Sequence, residues 1–341
     1  MSDTKPDARG VAPHQPLVTI FDTAASSRNL GDQIIMDAVR SQLRLTAPEA
    51  FCVTVPTHDF VGEEGRKLIE ASDASVLGGT NLLSSEVNKY NQWKVSWRDT
   101  RWLRNVIMLG TGWWQYQRSP NIFSKYFLGQ VLHRQRLHSV RDEYTARQLE
   151  CAGIVNVRNT SCVTLWEFDA AKQAAIPCHR SGSVVTTLTD YKPAPDKDIP
   201  FLQLLKRSYE KVYLWPQGSR DYNYFHSLAV GGIEVIDPHL TAYDELLASS
   251  VDLDYVGTRL HAGIRAMKYG RRSIILGVDN RAQEISRDTG LKVYSRDEGL
   301  GGLERLISDE VETRLNLPSA AIEEWREAFR AELSLAPIRP R

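Results

Sequence analysis

The chain has 341 residues, more than one hydrophobic core usually holds, so two domains of about 150 residues each are expected. Lys plus Arg and Asp plus Glu balance at 42 each, so no global field attracts nucleic acid. Because no apolar run approaches the ~20 residues that span a bilayer, and the N-terminus lacks a signal-peptide core, we expect a cytoplasmic protein without a transmembrane segment.

The first half of the chain alternates apolar strands with helical periodicity. Residues 1–16 are rich in Pro, Asp and Lys and are predicted to be disordered. From Gly31 to Leu45 the apolar positions recur at helical spacing. Strands are predicted at 17–23, 51–55, 74–79 and 105–112. Strands that are apolar throughout predict a parallel sheet with helices on both faces.

The first domain is predicted to span residues 17–167. Near its end a strand stops close to Arg141, and a helix begins at Asp142, where a negative charge suits the helix dipole. Gly153 is placed to end that helix. Residues 168–182 carry little pattern and are predicted to be a linker.

A second series of strands and helices predicts another domain at 183–316. Its strands are expected at 183–189, 211–217, 233–237, 252–258 and 273–279. Residues 317–341 then form a C-terminal helix and tail, with Ile322, Trp325 and Phe329 in one apolar stripe. Two doubly wound domains in tandem, with parallel sheets facing across a cleft, make a GT-B-like α/β fold, in which ligands bind at the carboxyl ends of the strands.

Residues 241–285 are the most informative stretch, with a predicted order of helix, strand, loop, helix and strand. Thr241 and Asp244 suggest a capping box, and Thr258 is placed to cap the helix that carries His261 in its first turn. A helix N-terminus favours an anion and disfavours imidazolium, so His261 should be neutral at rest. Arg259 precedes that helix and could point into the same crevice.

Five segments, in this order and spacing, resemble the polysaccharide pyruvyl transferase family. They are RNLGDQIIMDAV (28–39), LGGTNLL (77–83), LGTGWW (109–114), SVRDEYTARQLECAGI (139–154) and GTRLHAGIRAM (257–267). The resemblance implies transfer of pyruvate from phosphoenolpyruvate to a sugar as a ketal. The acceptor would be an exopolysaccharide, a cell-surface glycan or its lipid-linked precursor, and no cofactor or metal is implied.

The resemblance also implies roles for particular residues. His261 would act in catalysis, and Asp32 would contact the acceptor hydroxyls. Substrate-binding roles fall on Arg141, Arg259, Leu260, Thr258, Asn29, Gly31, Gly78, Gly79 and Thr80, the two glycines through close backbone approach to ligand. The chain departs from the family pattern at NTSCVTLW, where a D-P-A-like segment is common, and at GVDNRAQEI, where Tyr-Asp-x-Lys is common.

Each of these residues also has a simpler interpretation. His261 could be a core or capping histidine, Arg141 could pair with Asp142 or Glu143 at the surface, and Asp32 could only compensate a helix dipole. Trp113 and Trp114 are the best candidates for a sugar platform, although tryptophans more often fill the core. The basic cluster 133–136 could approach a membrane or form a solvated helix face.

Two other functions are compatible with this fold. A nucleotide-sugar glycosyltransferase would use the same helix terminus for a diphosphate. A catalytically idle member would bind a glycan or a partner enzyme as a scaffold in polysaccharide assembly. The oligomeric state cannot be deduced from the sequence.

Overall fold

A computed structural model describes residues 14–335 and contains two halves, each built on a parallel sheet. Most of the segment predicted to be disordered, 1–13, and the end of the tail, 336–341, lie outside the described residues. The first half comprises β1 (Leu17–Asp22), α1 (Leu30–Thr46), β2 (Phe51–Pro56), α2 (Glu63–Ala71), β3 (Ala74–Gly78), β4 (Val106–Leu109), α3 (Ile122–Val131), β5 (His138–Val140), α4 (Glu143–Cys151), β6 (Val157–Asn159) and α5 (Ala170–Ala174).

The strands of the first half follow the order β2-β1-β3-β4, all parallel. The pair β5-β6 continues this sheet through a single parallel bridge between Thr111 and Val140. Because β1 lies between β2 and β3, the strand order reverses between β1 and β3. In open α/β sheets such a reversal opens a crevice at the carboxyl ends of the strands, where ligands bind.

The second half forms a six-stranded parallel sheet. Its elements are β7 (Ser183–Thr186), α6 (Pro195–Ser208), β8 (Lys211–Leu214), α7 (Asp221–Ser227), β9 (Glu234–Val235), α8 (Leu240–Ala248), β10 (Leu253–Gly257), α9 (Leu260–Lys268), β11 (Ser273–Gly277), α10 (Asn280–Thr289), β12 (Val293–Ser295), α11 (Leu300–Ser308) and α12 (Ser319–Leu335). The strand order is β12-β11-β10-β7-β8-β9, so the crevice lies between β7 and β10.

The last helix, α12, returns to pack on the first half. The predicted stripe of Ile322, Trp325 and Phe329 is confirmed, because all three side chains are buried. Trp325 meets Trp166 edge to face, with ring centroids 5.8 Å apart. Arg326 also donates a 2.6 Å hydrogen bond to Gln42 of α1.

The two halves meet along the loop before α1. The Leu30 amide donates to the Gln217 carbonyl at 2.9 Å, and the Ser219 amide donates to the Arg28 carbonyl at 2.9 Å. An apolar cluster lies beneath this seam, where Ile34 of α1 joins buried side chains of the second half. The two crevices therefore face each other across a seam fixed by backbone hydrogen bonds.

Two predicted helix caps are wrong. Thr258 does not cap α9, because the N-cap residue is Arg259 and the Thr258 hydroxyl donates to the Thr187 carbonyl at 3.1 Å. Thr241 lies inside α8, and Asp244 instead binds Arg265 at 2.6 Å, so they form no capping box. In both cases a tertiary partner replaces the local capping contact.

The segment predicted as the linker is more structured than expected. It contains α5, and the flanking side chains of Phe168 and Ile176 are buried in the core of the second half. The domain limits themselves remain a prediction.

Candidate active site

A cavity of about 400 Å³ lies between the two halves, at the point where both crevices open. Its volume is within the range of small-molecule sites. The first half contributes Arg28, Asn29, Asp32, His58, Thr80, Asn81, Gln92, Trp114 and Gln115, and the second contributes Asp190, Tyr191, Lys192, Gly218, Ser219, Arg220, Arg259, Asp279, Asn280 and Arg281.

The N-terminus of α1 forms one wall of this cavity. Asn29 is the N-cap residue, and its side-chain oxygen accepts from the Gly31 amide at 3.1 Å and from the Gln217 side chain at 2.7 Å. A Cβ atom on Gly31 would lie 2.7 Å from the Gln217 Nε2, so a larger residue would displace the Gln217 side chain from Asn29. Gly31 thus shapes the seam and does not line the cavity.

Asp32 points into the cavity with a carboxyl group that is nearly buried. Ser27 donates a 2.6 Å hydrogen bond to it, Thr80 donates at 3.4 Å, and the Nε2 of His58 lies 3.9 Å away. Burial raises the pKa of Asp32 above its ordinary value, and the hydrogen bond from Ser27 offsets only part of this effect. A buried carboxyl group with a raised pKa is a candidate for proton transfer.

In the turn after β3 only one of the three predicted site residues lines the cavity. Thr80 lines the cavity, whereas Gly78 and Gly79 pack against α1. Gly79 has φ +56°, and a Cβ atom there would lie 2.1 Å from Ile35. The close approach that these glycines allow in the free protein is therefore to a helix, and their contact with ligand stays a prediction.

Arg141 is buried at the point where three of the family-like segments meet. Its guanidinium donates to Asp142 at 3.1 Å and to the side chain of Asn81. A Cβ atom on Gly112 would lie 2.3 Å from the Arg141 Cζ, so this glycine makes room for the guanidinium. The Nη1 of Arg141 is buried without a hydrogen-bond partner among the described residues. An unpaired buried donor is costly, and a ligand anion would satisfy it.

His261 lies in the first turn of α9 and is buried. Its pKa is lowered to about 3, first by burial and then by the nearby charges of Arg281 and Arg141. The imidazole is therefore neutral, as expected, although burial is the main cause. Its Nε2 lies 3.8 Å from the Sγ of Cys162, which belongs to the divergent segment NTSCVTLW.

Arg259 lines the cavity, but much of its charge is already compensated. Its Nε donates to the Leu188 carbonyl at 2.9 Å and to Asp221 at 3.2 Å, and its Nη2 donates to Asp190 at 3.0 Å. The guanidinium also lies over the Tyr191 ring, 4.9 Å from its centroid. These contacts hold Arg259 in the wall of the cavity. Fewer of its N–H donors are free for an anion than the sequence suggested.

Arg281 is a cavity residue that the sequence analysis missed. It follows β11 in Val278-Asp279-Asn280-Arg281, where it occupies the lysine position of the Tyr-Asp-x-Lys pattern. It donates to Asp279 at 2.6 Å and to the Tyr191 hydroxyl at 2.7 Å. Although burial acts to raise the pKa of Asp279, Arg281 holds it well below the usual range. At this position the chain therefore carries a cation, as arginine in place of lysine.

A second cavity of about 20 Å³ adjoins the first and contains the remaining predicted residues. It is lined by Thr258, Leu260 and His261, together with residues that also line the larger cavity, among them Arg281 and Tyr191. Its volume is below that of a small organic ligand. Tyr191 and Arg281 therefore separate the main cavity from His261, and a shift of these side chains would join the two spaces.

The tryptophan and basic-cluster predictions have mixed outcomes. Trp114 lines the cavity and packs on Tyr90 with centroids 4.1 Å apart, whereas Trp113 is fully buried and donates to Ser85 at 3.1 Å. Residues 133–136 lie in the loop between α3 and β5, so the interpretation as a helix face is wrong.

Potential metal ligands converge elsewhere. Among the described residues, the donor atoms of Cys178, His179 and Glu310 lie within 4.8 Å of one another, outside the cavity. Within residues 14–335, no helix is long and apolar enough to cross a membrane.

Solved structures share the architecture at low sequence identity. UDP-GlcNAc 2-epimerase of Methanocaldococcus jannaschii, in complex with UDP-GlcNAc and UDP, has a TM-score of 0.52 and 10% identity, covering 92% of this chain and 99% of its own. The S. aureus MnaA-UDP structure has a TM-score of 0.52 and 12% identity, covering 96% and 99%. E. coli heptosyltransferase WaaC with ADP has a TM-score of 0.43 and 13% identity, covering 94% and 99%. The first two likenesses concern the fold alone, and they confirm the predicted GT-B-like class.

Sequence comparison identifies the family. No curated protein sequence matches the chain. The family model for polysaccharide pyruvyl transferase matches residues 29–280, which is more than half of the chain. The matched range begins at the N-cap of α1 and ends at the first residue of α10, so it includes both crevices. The chain therefore belongs to the polysaccharide pyruvyl transferase family, a family of transferases.

Proposed function

We propose that this protein transfers pyruvate from phosphoenolpyruvate to a sugar of an exopolysaccharide, a cell-surface glycan or its lipid-linked precursor, forming a ketal. On this proposal the reaction takes place in the cytoplasm, at the inner face of the membrane when the acceptor is lipid-linked. Family membership supports the reaction class, and the cavity between the two halves supports the place of binding.

The observation that carries the donor site is the unpaired Nη1 of Arg141. The charges of Arg141 and Arg281 both act on His261, which is neutral and cannot offset them. Phosphoenolpyruvate brings a carboxylate and a phosphate, and guanidinium groups bind both in fork geometry. We assign the donor to the region of Arg141, Arg281 and His261, which gains room when a shift of Tyr191 and Arg281 joins the second cavity to the first. Arg259, Thr258 and Leu260 form the adjoining wall.

The proposed reaction is balanced by two sugar hydroxyls. The methylene carbon of the donor accepts a proton and becomes a methyl group, while the oxygen of the first hydroxyl bonds to the central carbon. Phosphate then leaves with the electrons of its ester bond, and the second hydroxyl closes the ketal. One hydroxyl proton balances the methyl group, and the other leaves with phosphate.

His261 suits the proton transfer at the donor. It is neutral in the free protein, and a bound anion raises the pKa of a neighbouring imidazole because it stabilises the charged form. Binding of the donor would thus favour the protonated form of His261. General acid-base catalysis of this kind contributes roughly 10²- to 10⁴-fold.

The acceptor is assigned to the larger cavity. Asp32 and His58 lie together on one wall, where a carboxyl group with a raised pKa can bind a hydroxyl and accept its proton. Trp114 offers an aromatic face in the same space. Asn29 and Thr80 add polar side chains beside it.

The first test is calorimetric titration of phosphoenolpyruvate into the native protein and an Arg281→Gln variant. Charge-assisted hydrogen bonds contribute about 1.5–3 kcal/mol, so binding should weaken roughly 10- to 100-fold in the variant. Arg287→Gln is the matched control, because Arg287 lies on the same helix but is exposed and pairs with Glu284. The control should bind the donor as the native protein does.

Other outcomes would favour the rival functions. Saturable binding of a uridine or guanosine diphosphate with no response to phosphoenolpyruvate would indicate a nucleotide-sugar glycosyltransferase. If the native protein formed no ketal and His261→Ala left the glycan of the cell unchanged, a scaffold role would be supported.

A further inference from the structure

A patch of exposed apolar side chains lies on the first half, away from the cavity. Ile122 and Tyr126 lie one turn apart on α3 and are 87% and 60% exposed. Val155, in the loop after α4, is 75% exposed. Ile122 and Val155 have the highest exposed fractions among the large hydrophobic residues of the described chain. Such exposure is costly unless another apolar phase covers it.

A groove of about 420 Å³ connects Tyr126 with Val155, and Ile122 lies one helical turn before Tyr126. Tyr126 and Val155 lie on its two sides, and Leu128 and Leu132 also line it. The rest of the lining comes from Gly129 and Gln130 of α3 and from the loops 132–134 and 153–156. The groove therefore runs from the exposed Tyr126 of α3 to the exposed Val155 in the loop after α4.

The charged side chains that line the groove have one sign. Lys125, Arg134 and His133 line it, and no carboxylate is among its described lining residues. The Arg134 Nε donates only to the Gly129 carbonyl, at 3.3 Å. Burial lowers the pKa of His133, so this side chain adds little charge at neutral pH. Aliphatic and tyrosine side chains bordered by cations are typical of surfaces that bind anionic membranes.

A second copy of the chain fits this surface less well. A two-fold interface brings the same residues together, so Lys125 and Arg134 of both copies would meet without a carboxylate of the groove to offset them. A bilayer with anionic headgroups supplies both the negative charge and the apolar phase.

We propose that the patch formed by Ile122, Lys125, Tyr126, Arg134 and Val155 docks the protein on the surface of an anionic phospholipid bilayer. The apolar side chains enter the headgroup region, and the two cations bind lipid phosphates. Membrane docking requires neither the donor nor the acceptor, so vesicle binding is measured without them.

The test is co-sedimentation of the full chain with vesicles of phosphatidylglycerol and phosphatidylcholine, compared with vesicles of phosphatidylcholine alone. Binding should require the anionic lipid and weaken with salt. The double variant Lys125→Gln, Arg134→Gln should bind vesicles more weakly by about fivefold per cation removed. The triple variant Ile122→Ser, Tyr126→Ser, Val155→Ser should bind them more weakly by roughly tenfold or more.

The matched control is Leu45→Ser with Phe60→Ser, which removes two side chains that are each 67% exposed on other surfaces. The control should bind vesicles as the native protein does, and phosphoenolpyruvate titration reports separately whether each variant keeps its donor site. Equal binding by the patch variants and the control overturns the proposal. A native dimer that becomes monomeric in the triple-serine variant, with no vesicle binding, overturns it in favour of a second copy.

Discussion

His261 is a buried imidazole near two guanidinium groups, and its proton content should depend on the donor. Its pKa of about 3 in the free protein means that it carries no proton at neutral pH. A bound anion raises this pKa, so His261 takes up a proton at any pH between the free and the bound values. Uptake disappears when the pH exceeds the bound value.

Calorimetry in buffers with different ionisation enthalpies measures this uptake. We expect the native protein to take up as much as one proton more per bound phosphoenolpyruvate than a His261→Asn variant does at the same pH. The difference corrects for protons released by the donor itself. Equal proton uptake by the two proteins would contradict the assigned role of His261.

Single residues also show where sequence reasoning stops. The sequence places His261 correctly in a first helical turn, because the apolar strand before it ends at Gly257, although the cap is Arg259 and not Thr258. It does not reveal that Asp221 and Asp190 engage Arg259, since both partners are distant in sequence. Arg281 could have been found, because it keeps the spacing of the family lysine after β11.

At the scale of elements, the buried strands are well predicted and the caps are not. The predicted strands at 17–23, 74–79 and 273–279 correspond to β1, β3 and β11, because continuous apolar runs have few alternatives. β12 was missed, since this edge strand has three half-buried residues and no apolar run. The prediction that Thr258 caps α9 is wrong because its hydroxyl forms hydrogen bonds with Thr187 and Thr189 instead.

The apolar face of α12 should contribute strongly to stability. Trp325 is fully buried between Trp166 and Phe329, so Trp325→Ala leaves a large cavity. We expect the free energy of unfolding to fall by about 3–5 kcal/mol in denaturant titrations. Glu327→Ala, on the exposed face of the same helix, should change it by less than about 0.5 kcal/mol. Similar losses for both variants would show that the helix does not pack as described.

At the scale of the whole molecule, the relation of the two halves determines the site. The sequence predicts two domains and a cleft, but the seam depends on contacts that no pattern encodes. Asp288 of α10 accepts from the Glu143 amide at 2.8 Å and from Asn159 at 2.9 Å, both in the first half. These bonds join the two halves at the start of α4, two residues after Arg141.

Removing this contact should loosen the molecule. Asp288→Ala is expected to weaken phosphoenolpyruvate binding by about two- to tenfold, because the closed arrangement becomes less populated. X-ray scattering should show a larger radius of gyration. Asp297→Ala is the control, since Asp297 pairs with Lys197 within the second half. Unchanged affinity and radius would mean that Asp288 does not hold the seam.

The return of α12 to the first half has a consequence for biogenesis. The ribosome makes this helix only after the whole second half, so the surface that Trp325 covers stays open while more than a hundred residues emerge. The first half can form its sheet early but completes its core last. During this interval the nascent chain exposes Trp166 and the outer face of α1, which makes it a natural client for chaperones that hold apolar surfaces.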